Sequence, residues 1–407
     1  MDIREEALKL RREHHGLLST CPKTKLTTRQ ELSVIYTPGV AEPCKDIKAN
    51  PDLSFELTCR GNMVAVVSDG TRVLGLGDIG PAAAMPVMEG KSILFKVFAD
   101  VDAIPICLDT KDPEKFIEMV KLLEPTFAGI NLEDISSPKC YDIEDRLKAE
   151  MNIPVFHDDQ HGTAIAALAT LIGALRLVKK ELETARIVVN GAGAAGTAIG
   201  RLLVNAGAKN LVMVDLQGAL YAGMTGLNRI QEQLARNTNL DKRQGNLVEM
   251  AKGADVLIGV SGPGLFSKEI VASMAKDSIV LAMANPVPEI MYSEAMAAGV
   301  RVYGSGRSDA PNQTNNVTVF PGLFRGALDV RAKNITEEMK LAAAYAIAEL
   351  VPEKDLRDDF VVVDAFDPRV APAVAAAVAK VAVETDVARI KIDPEEVRAR
   401  AAARIGR

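Results

Sequence analysis

The 407-residue chain reads as an α/β protein of two domains, and three observations predict it. Short apolar runs alternate with helical patterns along most of the chain, which is how layered α/β architectures are built. A β-branched run, Arg186–Asn190, leads into Gly191-Ala192-Gly193-Ala194-Ala195-Gly196 and then a helical stretch. That order belongs to a doubly wound, Rossmann-type nucleotide fold. After about Asn316 the pattern is only helical. The nucleotide unit is therefore expected over 159–315. An N-terminal α/β domain is expected over 1–158, completed by 316–407.

In the first part, Val64–Ser68 is an apolar strand ending at the turn Asp69-Gly70. Ser92–Phe95 and Ala103–Cys107 read as further strands, Lys115–Leu123 as a helix, and Gly129–Asn131 and Val155–His157 as short strands followed by polar or acidic residues. In the second part, Ala164–Leu177 is a helix, Thr197–Ala206 follows the glycine loop, and Asn210–Val214 ends at Asp215. Asp255–Gly259 and Ser278–Ala282 are later strands, each ahead of a Gly- or Pro-containing loop. Thr336–Leu350 and Ala371–Val387 are Ala/Val-rich helices, and the charged tail from Asp393 reads as a peripheral helix.

Composition narrows the function classes. Hydrophobic residues are 48% and charged residues 25%, ordinary for a folded soluble chain. A net charge of −6 offers no basic footprint for nucleic acid or an anionic membrane. Trp is absent, so the core is aliphatic and alanine-rich. Five scattered cysteines without a CxxC pattern fit reduced thiols in a cytoplasm. Met1–His15 lacks the apolar stretch of a signal peptide, and the run Ala164–Val178 is shorter than the ~20 residues of a membrane span. It reads as a buried helix.

The glycine loop carries the clearest chemistry. Gly191 permits the tight turn, Gly193 lets backbone approach a pyrophosphate, and Gly196 lets helix pack on strand. The helix N-terminus then offers unpaired N–H groups to the phosphates. Asp215 lies 19 residues beyond Gly196, near the spacing of a ribose contact. A carboxylate there accepts a free 2′-hydroxyl and repels a 2′-phosphate, and Leu216-Gln217-Gly218 supplies no cation. The expectation is NAD over NADP, with NADP possible.

Two acidic pairs, Glu133-Asp134 and Asp158-Asp159, stand at strand ends. Each could be a solvated turn, and the second could cap a helix. Carboxylates converging on one point call for a cation, and oxygen-only ligation suits Mg²⁺ or Mn²⁺ over zinc. His157 and His161 sit i and i+4 around the second pair, but without cysteines nearby a supporting or surface role is expected. Tyr36, before Pro38-Gly39, reads as a buried tyrosine. Arg72 could grip a carboxylate or merely a structural acid. Lys91 begins an apolar strand and reads as a solvated strand end.

Taken together, these stretches resemble the malic enzymes in their short bacterial and archaeal form. The resemblance covers about Leu26 to Val387 and rests on YTPGVAEPC (Tyr36–Cys44), SDGTRVLGLGDIGPAAAMPVMEGK (Ser68–Lys91), NLEDI (Asn131–Ile135), FHDDQHGTA (Phe156–Ala164), GAGAAG (Gly191–Gly196), ANPVPEI (Ala284–Ile290) and NNVTVFPG (Asn315–Gly322). It implies Tyr36 as general acid and Lys91 as general base, supported by Asp158. It implies Glu133, Asp134 and Asp159 as ligands of Mg²⁺ or Mn²⁺. Arg72, Lys91, Asn285 and Asn316 become substrate contacts, and Asn285 and Asn315 join the glycine loop and Asp215 in holding the cofactor. Many relatives carry a basic residue where this chain has Gln217, which bears on NADP alone.

The implied reaction is oxidative decarboxylation of L-malate to pyruvate, with decarboxylation of oxaloacetate as a side activity. Lys91 would act with its pKa lowered by the metal and Arg72. The implied assembly is a cytoplasmic homodimer or higher homo-oligomer. The nearest rival is malolactic enzyme, which turns malate into lactate on bound NAD. A metal-free amino-acid dehydrogenase and a nucleotide-sensing module are the others.

Overall fold

The computed structural model describes residues 3–73 and 75–405. The chain opens with helices α1 (Ile3–His14), α2 (Arg29–Ile35), α3 (Ala41–Ala49) and α4 (Ser54–Leu57), none of which buries a residue. Then come β1 (Met63–Ser68), α5 (Pro81–Ala99), β2 (Asp102–Cys107), α6 (Pro113–Leu122), β3 (Gly129–Leu132), α7 (Lys139–Glu150) and β4 (Val155–His157). The four strands form a parallel sheet in the order β2-β1-β3-β4. Its central strand shows why the sequence reads as a continuous apolar run. Val64 and Val66 face one buried cluster with Phe95, and Ala65 and Val67 face another with Phe116 and Ile117. A parallel strand covered on both faces loses the polar alternation.

Ser92–Phe95 is not a strand. It lies inside α5, where Ala84, Met88, Lys91, Ser92, Phe95 and Ala99 are the buried residues. That spacing is helical, and Pro81 at the first turn suits a helix start. A four-residue window was too short to reveal the period. Lys91 is therefore a buried mid-helix residue, not a solvated strand end.

Helix α8 (Asp158–Val178) runs from the first sheet into the second. It is long and apolar enough by length and composition to cross a membrane, longer than the run read from sequence, but 72% of that stretch is buried inside the fold. The second sheet follows: β5 (Arg186–Asn190), α9 (Ala194–Asn205), β6 (Asn210–Asp215), β7 (Gly218–Ala219), α10 (Arg229–Asn237), α11 (Leu247–Ala251), β8 (Val256–Gly259), α12 (Lys268–Ala272), β9 (Ile279–Ala282), α13 (Tyr292–Ala297) and β10 (Val302–Ser305). The order is β10-β9-β8-β5-β6-β7, parallel except for β7.

The C-terminal helices are α14 (Phe320–Asp329), α15 (Glu337–Ala348), α16 (Val370–Glu384) and α17 (Pro394–Arg404). Helix α14 packs on the first sheet's layer. Phe95 of α5 meets Phe320 at 4.6 Å and Phe324 at 5.3 Å between ring centroids. Each such buried ring contributes about 1.5–3 kcal/mol. One apolar cluster then runs from Val64 and Phe95 through α8 to Ile187 and Val189. All five cysteines are free thiols.

Candidate active site

The acids that follow β3 and β4 meet Lys91 in the interior. Lys91 Nζ lies 2.5 Å from Asp158 Oδ2 and 2.9 Å from Glu133 Oε1, with the Phe320 ring 4.3 Å beneath it. Glu133's other oxygen accepts from the Asn131 amide at 2.8 Å. Asp159 Oδ2 accepts the main-chain N–H of Asp134 at 2.7 Å, which ties the two acidic pairs together. Asp134 itself adopts φ +55, a left-handed conformation that Asp tolerates better than most residues. Asp158 does not cap α8 from the N-cap position; that residue is His157, which makes no side-chain cap bond. Gly162, one turn further on, leaves the room that Asp158 occupies: a Cβ there would lie 1.8 Å from Asp158 Oδ1.

Burial drives the electrostatics. It pushes Asp158 up to about 7 and Asp159 up to about 6, with Lys91 pulling both back, and it raises Glu133 as well. The acids also raise one another: Glu133 acts on Asp158, Asp158 on Asp159, and Asp159 on Glu133. Burial favours a neutral Lys91, but Asp158 and Glu133 outweigh it and raise the pKa above its usual range. The protein's own charges thus raise it, because two carboxylates touch the amine; the lowering expected from the sequence rested on a metal and Arg72.

Among the described residues no three His, Cys, Asp or Glu side chains converge as a metal-ligand group. The donor chemistry nonetheless fits a hard cation. Glu133 and Asp134 are buried, and Asp159 is half-buried with 34% of its side chain exposed. Glu133, Asp158 and Asp159 raise one another's pKa, and the neighbouring Asp158 Oδ1 is buried without a hydrogen-bond partner among the described residues.

Arg72 is exposed, and its guanidinium has no hydrogen bond or ion pair among the described residues. Its main-chain N–H donates to Asp134 at 3.0 Å, and its charge lowers Asp159. Asn316 opens a short 3₁₀ turn against α8, its Cβ 3.0 Å from where a Gly162 Cβ would stand. Asn315 spends its side-chain oxygen capping that turn, accepting from Val317 N–H at 3.0 Å. The main-chain oxygen of Asn285 stands 3.1 Å from where a Gly75 Cβ would be, so the loop after β9 touches the loop after β1. Tyr36 does not join the cluster. It lies at the end of α2, 65% exposed, its phenol without a hydrogen bond among the described residues, and so is not a buried tyrosine. His157 and His161 are both buried, which removes the surface reading of either.

The glycine loop is a cradle. Gly191 has φ +110, and a Cβ on Gly196 would stand 1.8 Å from the Gly191 oxygen. Space around Gly193 is open, and α9 starts there with no side-chain cap. Ala192, Ala194 and Ala195 complete the loop, and Asp215 ends β6. These residues fit a dinucleotide.

Four functional-looking residues escaped the sequence reading. Asn131 holds Glu133. Gln231 donates to Asp215 Oδ2 at 3.3 Å and to Ala192 O at 3.0 Å. Glu289, wholly buried, accepts from Ser261 and Ala284 N–H, both at 3.0 Å, joining the loops after β8 and β9. Its signal was present in the ANPVPEI stretch. Glu144 and Gln231 sit in helices of ordinary pattern and gave none.

The family described as "Malic enzyme, NAD binding domain" matches residues 160–383, and "Malic enzyme, N-terminal domain" matches residues between 15 and 148. The chain belongs to the malic enzyme family. A curated relative from Bacillus subtilis (strain 168), named "Bifunctional malic/malolactic enzyme", is 58% identical over 98% of this chain and 97% of its own. An "NAD-dependent malic enzyme" of Geobacillus stearothermophilus is 54% identical over 92% of this chain and 78% of its own. An "NADP-dependent malic enzyme" of Escherichia coli (strain K12) is 47% identical over 92% of this chain but only 51% of its own length. The solved malic enzyme of Pyrococcus horikoshii Ot3 superposes with a TM-score of 0.94 at 46% identity, covering 99% and 96% of the two chains. This malic enzyme thus carries an NAD(P)-binding domain in its second sheet, and the amino-acid dehydrogenase reading is set aside.

Proposed function

We propose that this chain catalyses the oxidative decarboxylation of L-malate to pyruvate and CO₂, dependent on a divalent metal and favouring NAD over NADP. The observation that carries the reading is the buried Lys91, held between Asp158 and Glu133 and next to Asp159. Glu133, Asp134 and Asp159 would hold Mg²⁺ or Mn²⁺, and the glycine loop with Asp215, Asn285 and Asn315 would hold the dinucleotide. When bound, the nicotinamide supplies an acceptor for the C2 hydride, and the cation a Lewis acid for the C2 oxygen.

The chain's own groups do the rest. Arg72 binds a substrate carboxylate, aided by Asn285 and Asn316. Lys91 must pass its proton to Asp158, 2.5 Å away, before it can accept the proton of the C2 hydroxyl. The pair alone keeps that proton on Lys91, and the positive charges of Arg72 and a bound cation would favour its release. The oxidised substrate, oxaloacetate, is a β-keto acid and loses its C4 carboxylate; added oxaloacetate is decarboxylated likewise. Tyr36 donates a proton to C3 of the resulting enolpyruvate.

We place residues 1–158 with 316–407 in the substrate half and 159–315 in the nucleotide half, supported by the seating of Phe320 and Phe324 on Phe95. The enzyme is proposed to be a cytoplasmic homodimer, supported by the exposed apolar side chains of the N-terminal helices, Leu8, Leu32, Val34 and Ile35 among them. A second reading, malate to lactate, is favoured by the name of the Bacillus subtilis relative. A spectrophotometric assay with L-malate and Mn²⁺, run with NAD and with NADP, tests the proposal. Steady reduced-cofactor formation supports it; lactate without net reduced cofactor supports the second reading, and no turnover sinks both.

A further inference from the structure

Asp158 and Asp159 are bracketed in sequence by His157, Gln160 and His161, and one carboxylate holds all three brackets. Glu144 of α7 is buried. Its Oε1 accepts the main-chain N–H of His157 at 3.2 Å and the Lys148 ammonium at 2.6 Å. Its Oε2 accepts the Gln160 amide at 3.1 Å and meets His161 Nε2 at 2.8 Å. Four donors on one carboxylate use its acceptor sites fully.

The far side of the imidazole settles its tautomer. His161 Nδ1 lies 3.0 Å from Lys340 Nζ of α15. An ammonium has donors and no lone pair, so Nδ1 accepts and Nε2 keeps its hydrogen for Glu144. Lys340 is paired with Glu337 at 2.6 Å, and Glu337's other oxygen accepts from Asn205 at the end of α9 at 3.1 Å. A polar chain therefore runs from α7 through the first turn of α8 to α15 and on to the nucleotide-side helix α9.

We propose that Glu144 is a positioning residue for the reaction, clamping the first turn of α8 so that Asp158 faces Lys91 and Asp159 faces a divalent cation. Lys340 serves the clamp by fixing the His161 tautomer. A merely structural carboxylate could satisfy stray donors anywhere in the fold. This one gathers the three residues that flank both acids and, among the described residues, no others of α8 or its N-cap. The inference rests on the proposed roles of Asp158 and Asp159.

The test measures Mn²⁺ binding directly, by the electron paramagnetic resonance signal of free Mn²⁺, alongside kcat. It uses the purified full chain as wild type, Asp159→Asn, Glu144→Gln, Lys340→Met and Lys340→Arg. Glu144→Gln keeps the shape but presents an amide NH₂ to donors. It should weaken Mn²⁺ binding about 10–100-fold, as losing a group that orients a ligand does, and lower kcat, while its circular dichroism stays that of wild type. Lys340→Met should shift both in the same direction by a smaller factor, and Lys340→Arg, which still donates, should recover most of the loss. Wild-type Mn²⁺ affinity and kcat in Glu144→Gln overturn the proposal. If that variant does not fold, wild-type values in Lys340→Met overturn it instead. Unchanged Mn²⁺ binding in Asp159→Asn overturns the metal role of Asp159 itself, a separate failure from that of Glu144.

Discussion

Lys91 Nζ and Asp158 Oδ2 stand 2.5 Å apart with both side chains buried. Taking two charges out of water is costly, and an isolated pair of this kind often adds nothing to stability. Here the second carboxylate, Glu133, adds a further charge at 2.9 Å. Such an arrangement concentrates pKa perturbation on one proton-transferring pair, which is where functional sites are found.

The first prediction separates the two partners. Lys91→Ala removes the base and should lower kcat by about 10²–10⁴-fold. Asp158→Asn leaves the amine but removes the acceptor of its proton. Its kcat should fall while the KM for malate changes less. Steady-state rates measured over a range of malate concentrations read both, and single-turnover stopped-flow shows that the oxidation step itself has slowed. Wild-type kcat in either variant would remove that residue from the proton path.

The second concerns the cation. Asp159→Asn trades a charged ligand for a neutral one and should raise the Mn²⁺ concentration for half-maximal turnover at least about tenfold. Chelation with EDTA should abolish turnover, and Mn²⁺ should restore it. Retained activity in EDTA would contradict the metal reading.

How much of this was legible in the sequence depends on where each signal lives. The buried strands announced themselves as continuous apolar runs, and Val155–His157 and Arg186–Asn190 coincide with observed strands. Strand β10, Val302–Ser305 at the sheet edge, ends in Gly304 and Ser305 and so offers no continuous apolar run. The N-terminal helices bury nothing, so no apolar stripe marked them. In the site, the glycine loop and the acidic pairs have local patterns. Lys91 does not: in a mid-helix position its meaning comes from Asp158 at the start of α8 and Glu133 just after β3. Glu144 is similar, an ordinary helical glutamate until α8 and α15 pack against it.

The third prediction addresses cofactor choice. Asp215 is steadied by the Gln231 amide, and no ion pair to a cation forms at its carboxylate among the described residues. We expect a higher kcat/KM with NAD than with NADP. Changing Asp215→Ser and Gln217→Lys together should move the ratio toward NADP. Better use of NADP by the unaltered enzyme would refute the reading of Asp215.

The fourth follows from His161. Burial, against the pull of Glu144, holds its pKa at about 3. The value lies below that of the unfolded ring, so the ring is neutral in the fold and takes up a proton on unfolding. Its contribution to stability is complete above pH 6.5 and is lost as pH falls from 6.5 toward 3. Between pH 7.5 and 5.5 the loss is about 1.4 kcal/mol. Asp158 and Asp159, whose pKa values are raised to about 7 and about 6, act in the opposite sense over that interval, so the ring's share is read as a difference: the Tm of wild type should fall relative to that of His161→Gln as pH is lowered. Parallel curves would place the sensitivity elsewhere.

The last prediction concerns Tyr36, whose exposure of 65% contrasts with the buried Lys91. Its proposed task begins only after CO₂ has left, so its loss should produce a different lesion from that of Lys91. Tyr36→Phe keeps the ring and deletes the proton donor. Hydride transfer should remain possible, while protonation at C3 of enolpyruvate slows. Proton exchange at the methyl group of pyruvate in deuterated water, with NADH and Mn²⁺ present, isolates that step, because exchange requires passage between pyruvate and its enol. Exchange should be nearly lost in Tyr36→Phe and survive better in Lys91→Ala. The exposed position makes the test decisive. A surface tyrosine with no chemical role can be replaced by Phe at little cost, and exchange would then continue at the wild-type rate. A loss confined to exchange, with malate oxidation in a single turnover preserved, requires the phenol to reach the substrate during catalysis.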